Sequence, residues 1–96
     1  MNRFVISGQV VAKSELRHTP AGVERMEITI RHASEQTEAG VKRQVQCEII
    51  ALAFGETAKA VTELPIGQSV RADGFIAQRS LRSTQLVMHI NNIILE

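Results

Sequence analysis

A period of two that returns five times constrains this chain more than any other feature. Phe4, Ile6, Gly8 and Val10 alternate with Arg3, Ser7 and Gln9. Met26, Ile28 and Ile30 alternate with Arg25, Glu27, Thr29 and Arg31, and Val45, Cys47, Ile49 and Ala51 with Gln44, Gln46 and Glu48. Val70, Ala72, Gly74 and Ile76 share a phase, as do Leu86, Met88 and Ile90. Successive side chains of a strand point to opposite faces, so each run reads as a β-strand with one apolar face. The predicted strands cover residues 3–12, 24–32, 42–52, 68–77 and 85–95. Between them lie a polar loop at 13–23, an acidic loop at 33–41 closed by Gly40, and a basic turn at 78–84. Thr19-Pro20-Ala21-Gly22 has Pro and Gly where a tight turn needs them. Only residues 53–64 break the period. Ala58, Val61 and Leu64 recur there at helical spacing before Pro65 and Gly67, so one short helix is expected.

Five strands with a helix between the third and fourth is the layout of an all-β OB-fold barrel, a partly open five-stranded Greek key. Residues 1–96 make a single domain. A chain of this size buries only about 60–70% of the surface its unfolded form exposes, so a dimer would help it. The aromatics are Phe4, Phe54 and Phe75, with no Trp or Tyr, so the core must be aliphatic. Phe4 shares the core phase and Phe54 opens the helix, so both are expected inside. Phe75 falls on the other phase, exposed or at a subunit contact. Val5 and Val11 are apolar on the phase that should be wet, which points to a homodimer through residues 3–11.

Enzyme chemistry finds little support. Cys47 is the single cysteine and excludes an internal disulfide; its phase makes it a small core residue. His18, His32 and His89 are isolated from one another, and no Cys/His cluster has metal-ligand spacing. There is no GxxxxGK[ST] phosphate loop, and no cofactor is implied. His89 alternates with Met88 and Ile90 and should face outward. The N-terminus enters a strand directly, without a signal-type apolar block or a membrane-spanning run, so a cytoplasmic protein without membrane contact is expected.

The net charge of +1 decides nothing, but its distribution does. No acid lies between Met1 and Lys13, between Glu38 and Glu48, or between Asp73 and Glu96. A near-neutral chain can therefore carry a basic face. The candidates for a nucleic-acid site are Arg17 and His18 in the first loop, Arg31 outward on the second strand, and Lys42, Arg43, Gln44 and Gln46 on the third. Arg79 and Arg82 complete them in the last turn. The first and last loops are those that OB folds use for oligonucleotides. For each, a solvated surface group is the alternative. Arg25, between Glu24 and Glu27, and Arg71, beside Asp73, read as charges neutralised by their neighbours.

The run NRFVISGQVVAKSELRHTPAG at residues 2–22 resembles the opening of bacterial single-stranded DNA-binding proteins. An ordered set extends the likeness over essentially the whole chain: Ser7-Gly8, Leu16-Arg17, Glu38-Ala39-Gly40, Arg43-Gln44, Cys47, Gly74-Phe75-Ile76 and His89. It resembles most the primosomal replication protein N (PriB) family, shorter relatives of those proteins. The chain ends at Glu96 without a long acidic-tipped tail, which favours that branch. The resemblance implies an OB-fold homodimer that binds single-stranded DNA during replication restart and contacts the helicase PriA and the protein DnaT. Some relatives carry an aromatic where this chain has Gln46, and a bulky residue at Val41. Two other readings stay open: a protein-interaction OB module that recruits a helicase, and an RNA or oligosaccharide binder on the same fold.

Overall fold

The computed structural model describes residues 1–96. Its elements are β1 (Phe4–Lys13), β2 (Arg17–His18), β3 (Glu24–Glu38), β4 (Val41–Phe54), α1 (Glu56–Thr62), β5 (Ser69–Gln78) and β6 (Leu86–Leu95). The five predicted strands are β1, β3, β4, β5 and β6; β2 is a two-residue addition inside the first loop, paired with β3. The strands run in the order β1-β5-β6-β4-β3, and β1 pairs with β3 to close the barrel. All pairings are antiparallel except β4 with β6, which is parallel and holds two rungs, Ala51↔Met88 and Leu52↔His89. This is the OB fold, with its helix between β4 and β5. No helix is long and apolar enough to cross a membrane.

The inward phases meet in one aliphatic core: Ile6 and Val10, Met26, Ile28 and Ile30, Ala51 and Ala53, Val70 and Ala72, Met88 and Ile90. Ala58, Val61 and Leu64 plug it from α1 and the turn behind it. Lys13 fastens that plug, donating from Nζ to the carbonyl oxygens of Thr62 and Leu64 at 3.0 and 2.7 Å. A cation at a helix C-terminus meets the negative end of the helix dipole. Gly8 and Gly74 sit where neighbouring strands press closest: a Cβ there would collide with the carbonyl oxygens of Arg31 and His89.

Three expectations need correction. Residues 33–41 are not a loop. β3 runs on to Glu38 and β4 starts at Val41, leaving Ala39 and Gly40 as the turn, both with positive φ (52° and 78°). Pairing of β1 with β3 stops at Gln9↔Arg31, so the ribbon beyond projects from the barrel with both faces wet. That projection lengthens the molecule to 49 Å, against 32 and 21 Å across. Cys47 is exposed rather than in the core, because it lies opposite His32 on this ribbon, beyond the barrel rim. Phe54 is not inside either. It points outward with 36% of its surface exposed.

Candidate nucleic-acid interface

Residues directly opposite each other in an antiparallel pair share a face. The outward face of β3 and β4 therefore carries, from barrel to ribbon tip, Arg25 with Phe54, Glu27 with Leu52, Arg31 with Glu48, Ala33 with Gln46, Glu35 with Gln44, and Thr37 with Lys42. Arg31, Lys42, Gln44 and Gln46 are thus brought together on one side. Arg43, opposite Gln36, belongs to the other. A depression of about 400 Å³ lies at the root of the ribbon, lined by Arg31, His32, Ala33, Gln46, Cys47 and Glu48.

Most of the basic candidates already hold a carboxylate. Arg31 binds Glu48 at 2.9 Å, Arg43 binds Glu38 at 2.8 Å, Lys42 lies 3.8 Å from Glu35, and Arg79 binds Glu27 at 3.0 Å. Gln44 donates to Glu35. Arg17, Arg25 and Arg82 enter none of the ion pairs. Arg25 overturns its expected neutralisation. Glu24 turns to Lys59 at 3.5 Å and Glu27 to Arg79, which leaves the guanidinium between them free. The Glu24 carboxyl is held below its ordinary range, first by a backbone hydrogen bond and also by Lys59. Asp73 is likewise taken by Arg3 at 2.6 Å rather than by Arg71.

The free guanidiniums adjoin an aromatic column. Arg17 stands opposite Arg25, and Arg25 opposite Phe54. The Phe54 ring stacks on His89 of β6, with centroids 5.8 Å apart and planes 18° from parallel. His89 stacks in turn on Phe75 of β5 at 4.8 Å and 12°. Each pair is worth about 0.5–1.5 kcal/mol beyond the area it buries, so the three rings hold one another in place. His89 stands on the strand between those of Phe54 and Phe75, so the sides of the two phenyl rings away from it are the ones left for a further flat ring. The Arg25 side of Phe54 offers such a ring a flat apolar platform beside two cations.

The last loop lies over the same face. Arg79 donates from its backbone N–H to the Gln85 carbonyl and from Nε to the Gln85 side chain, both at 2.9 Å, and this braces the loop at its base. Its guanidinium then reaches Glu27 across the outward face of β6 and β4. Val87 and Leu52 on that face are buried, although they lie outside the core cluster. The aliphatic stem of an arginine can cover such groups while its head stays polar. Leu81 and Arg82 project from the loop tip; Leu81 is fully exposed.

Sequence reasoning placed His89 outward and left Phe75 open, but missed Phe54 and Arg25 as members of the candidate site. The column draws on three strands that only the barrel register brings side by side, so no spacing along the chain signals it.

Residues 2–92 match the model of a family described as another single-strand binding protein family. The chain is 37% identical to the replication restart protein PriB of Nitrosomonas europaea, over 95% of this chain and 84% of that protein. It is 35% identical to PriB of Shewanella woodyi, over 99% and 96%. Among solved structures, PriB of Ralstonia solanacearum superposes with a TM-score of 0.90 at 29% identity, over 100% of this chain and 98% of that one. The single-stranded DNA-binding protein of Thermus aquaticus superposes with a TM-score of 0.80 over half its own chain; at 18% identity this is a likeness of fold. These relatives carry the names of binding and restart proteins rather than of enzymes.

Proposed function

The chain belongs to the single-strand binding protein family, within its PriB branch, and on that premise we propose that it is a non-catalytic, single-stranded DNA-binding accessory of replication restart in the cytoplasm. The observation that carries this reading is the aromatic column Phe54–His89–Phe75 with Arg17 and Arg25 free beside it. Single strands are held by two things: cations that follow the phosphates, and rings that stack under the bases. A duplex keeps its bases stacked inside and gains only the first. The column and its arginines supply both on one face.

Titration of labelled oligonucleotides at two salt concentrations tests it. If about three to five phosphates are neutralised, the log–log salt slope on a single strand is roughly −2 to −3.5, at about −0.7 per contact. Equal or tighter binding to duplex, or binding indifferent to salt, would count against the proposal.

The finer parts of the reading are a homodimer and contact with PriA and DnaT. A protein-interaction role draws support from Leu81, a fully exposed apolar side chain at a loop tip beside an unpaired Arg82. Leu81→Ser should leave the oligonucleotide titration unchanged and weaken association with the restart helicase in a pull-down with purified proteins. Equal capture of the variant and the unaltered protein would remove this tip from the contact.

A further inference from the structure

Both loops that OB folds use for oligonucleotides are fastened to one residue, Glu27. Its backbone binds the first loop: the Ser14 N–H donates to the Glu27 carbonyl at 2.8 Å, and the Glu27 N–H donates to Ser14 Oγ at 2.9 Å. Its side chain binds the last loop through Arg79 at 3.0 Å. The carboxylate therefore stands at the entrance between the loops, one rung along β3 from the free Arg25. This ion pair also differs from those on the ribbon. Its side chains are 30% and 32% exposed, whereas both partners in each ribbon pair are at least 51% exposed. Water and salt screen it least.

We infer that Glu27 is an internal stand-in for phosphate that latches Arg79 and holds down the affinity for single strands. Carboxylate and phosphodiester each offer the guanidinium fork a pair of anionic acceptor oxygens, so they compete for one place on Arg79. A strand crossing this face must either displace the carboxylate or pass Arg79 without using it. The carboxylate also repels phosphates drawn towards Arg25. Glu27 thus sets how tightly the chain can hold a strand and how readily it lets one go. This inference rests on the single-strand binding proposed above.

Glu27→Gln keeps the size of the side chain and a hydrogen-bond acceptor for Arg79, and removes the competing charge. The variant should bind a labelled single-stranded oligonucleotide roughly three- to tenfold more tightly at low salt. Its salt slope should steepen by about 0.7, one further phosphate contact. Adding Arg79→Ala should abolish that gain. A purely structural ion pair predicts the reverse: a lower melting temperature with affinity unchanged or weaker, and that result overturns the latch. If the unaltered protein binds single strands and Glu27→Gln binds no tighter, the latch fails while the proposed function stands. If neither binds, both fail; if only the variant binds, the latch is supported. A reading that needs no variant is the Arg79 Nη–H resonance of the unaltered protein, since Nη1 is the atom that holds Glu27. It should shift as oligonucleotide is added, and a resonance that stays in place overturns exchange at Arg79.

Discussion

Phe54 and Gln46 stand on the same outward face of β4, but only one of them has a ring. Phe54→Ala should weaken single-strand binding by about 1–3 kcal/mol, the worth of one base stack. Stability should fall less, because the ring is partly exposed and makes its contact chiefly with His89. Unchanged affinity in the folded variant would take the column out of the site. Gln46→Trp tests whether the strand also runs over the ribbon. An indole there should add up to about 1 kcal/mol and, in a chain without Trp, report binding by its own fluorescence. A folded variant with neither response places the path along the column and loops instead. Asp73 gives a prediction in pH. The hydrogen bond from Arg3, with the nearby charges of Arg3 and Arg71, holds its carboxyl below the ordinary carboxylate range. A depressed carboxyl contributes stability above its unfolded pKa and loses it as pH falls through the folded one. Asp73→Asn should therefore narrow the gap in melting temperature between neutral pH and pH below about 4. An acid limb identical to that of the unaltered protein would show that this exposed pair contributes nothing.

At the scale of elements, alternation made the strands legible wherever one phase was buried. It failed where neither phase was. Residues 33–38 read as a loop because the ribbon they form leaves β1 behind at Arg31, and polar residues then suit both faces. Cys47 shows the complementary error: phase tells which face a residue takes, not how far from the barrel it stands. Around Phe54 the signal was lost for a third reason. Ala51, Leu52 and Ala53 are all buried, Leu52 on the outward face beneath the reach of Arg79, so the period disappears just where the column begins. The basic candidates were legible as residue types, but their partners were not, since Glu27 and Arg79 meet only through the barrel's register. The ribbon turn carries a prediction of its own. Ala39 takes a left-handed conformation (φ 52°) that costs an L-residue with a Cβ about 1–2 kcal/mol. Ala39→Asn, which tolerates that region, should raise stability by about 0.5–1 kcal/mol in denaturant unfolding. A lower midpoint at the same slope would mean that the turn is not strained.

At the scale of the whole molecule, β1 is the strand left incomplete. It pairs with β5 over Phe4–Gln9 and with β3 only from Gln9 onward; Gly8 lies against the Arg31 backbone and the Ser7 carbonyl against His32, so the edge with no strand beside it is that of Phe4–Ile6. Val5 on this segment is 45% exposed. An open edge beside exposed apolar surface suits a second copy of the chain, and a two-fold axis would let each β1 cover the other. Sedimentation at micromolar concentration should give a mass near twice 10.6 kDa, and Val5→Lys should lower it. A clean monomer for the unaltered chain would remove the dimer. The seam of the barrel has a different consequence. β4 and β6 meet through two rungs, while every other wall of the cylinder is longer, and the Phe54–His89 stack bridges that same seam from outside. Short seams breathe first. The amides of Ala51–Ala53 and Val87–His89 should trade their protons for solvent deuterons sooner than those of Ile28 and Ile30. A base laid against Phe54 would slow that trade, so an event on the surface would be recorded in the tempo at which the interior opens.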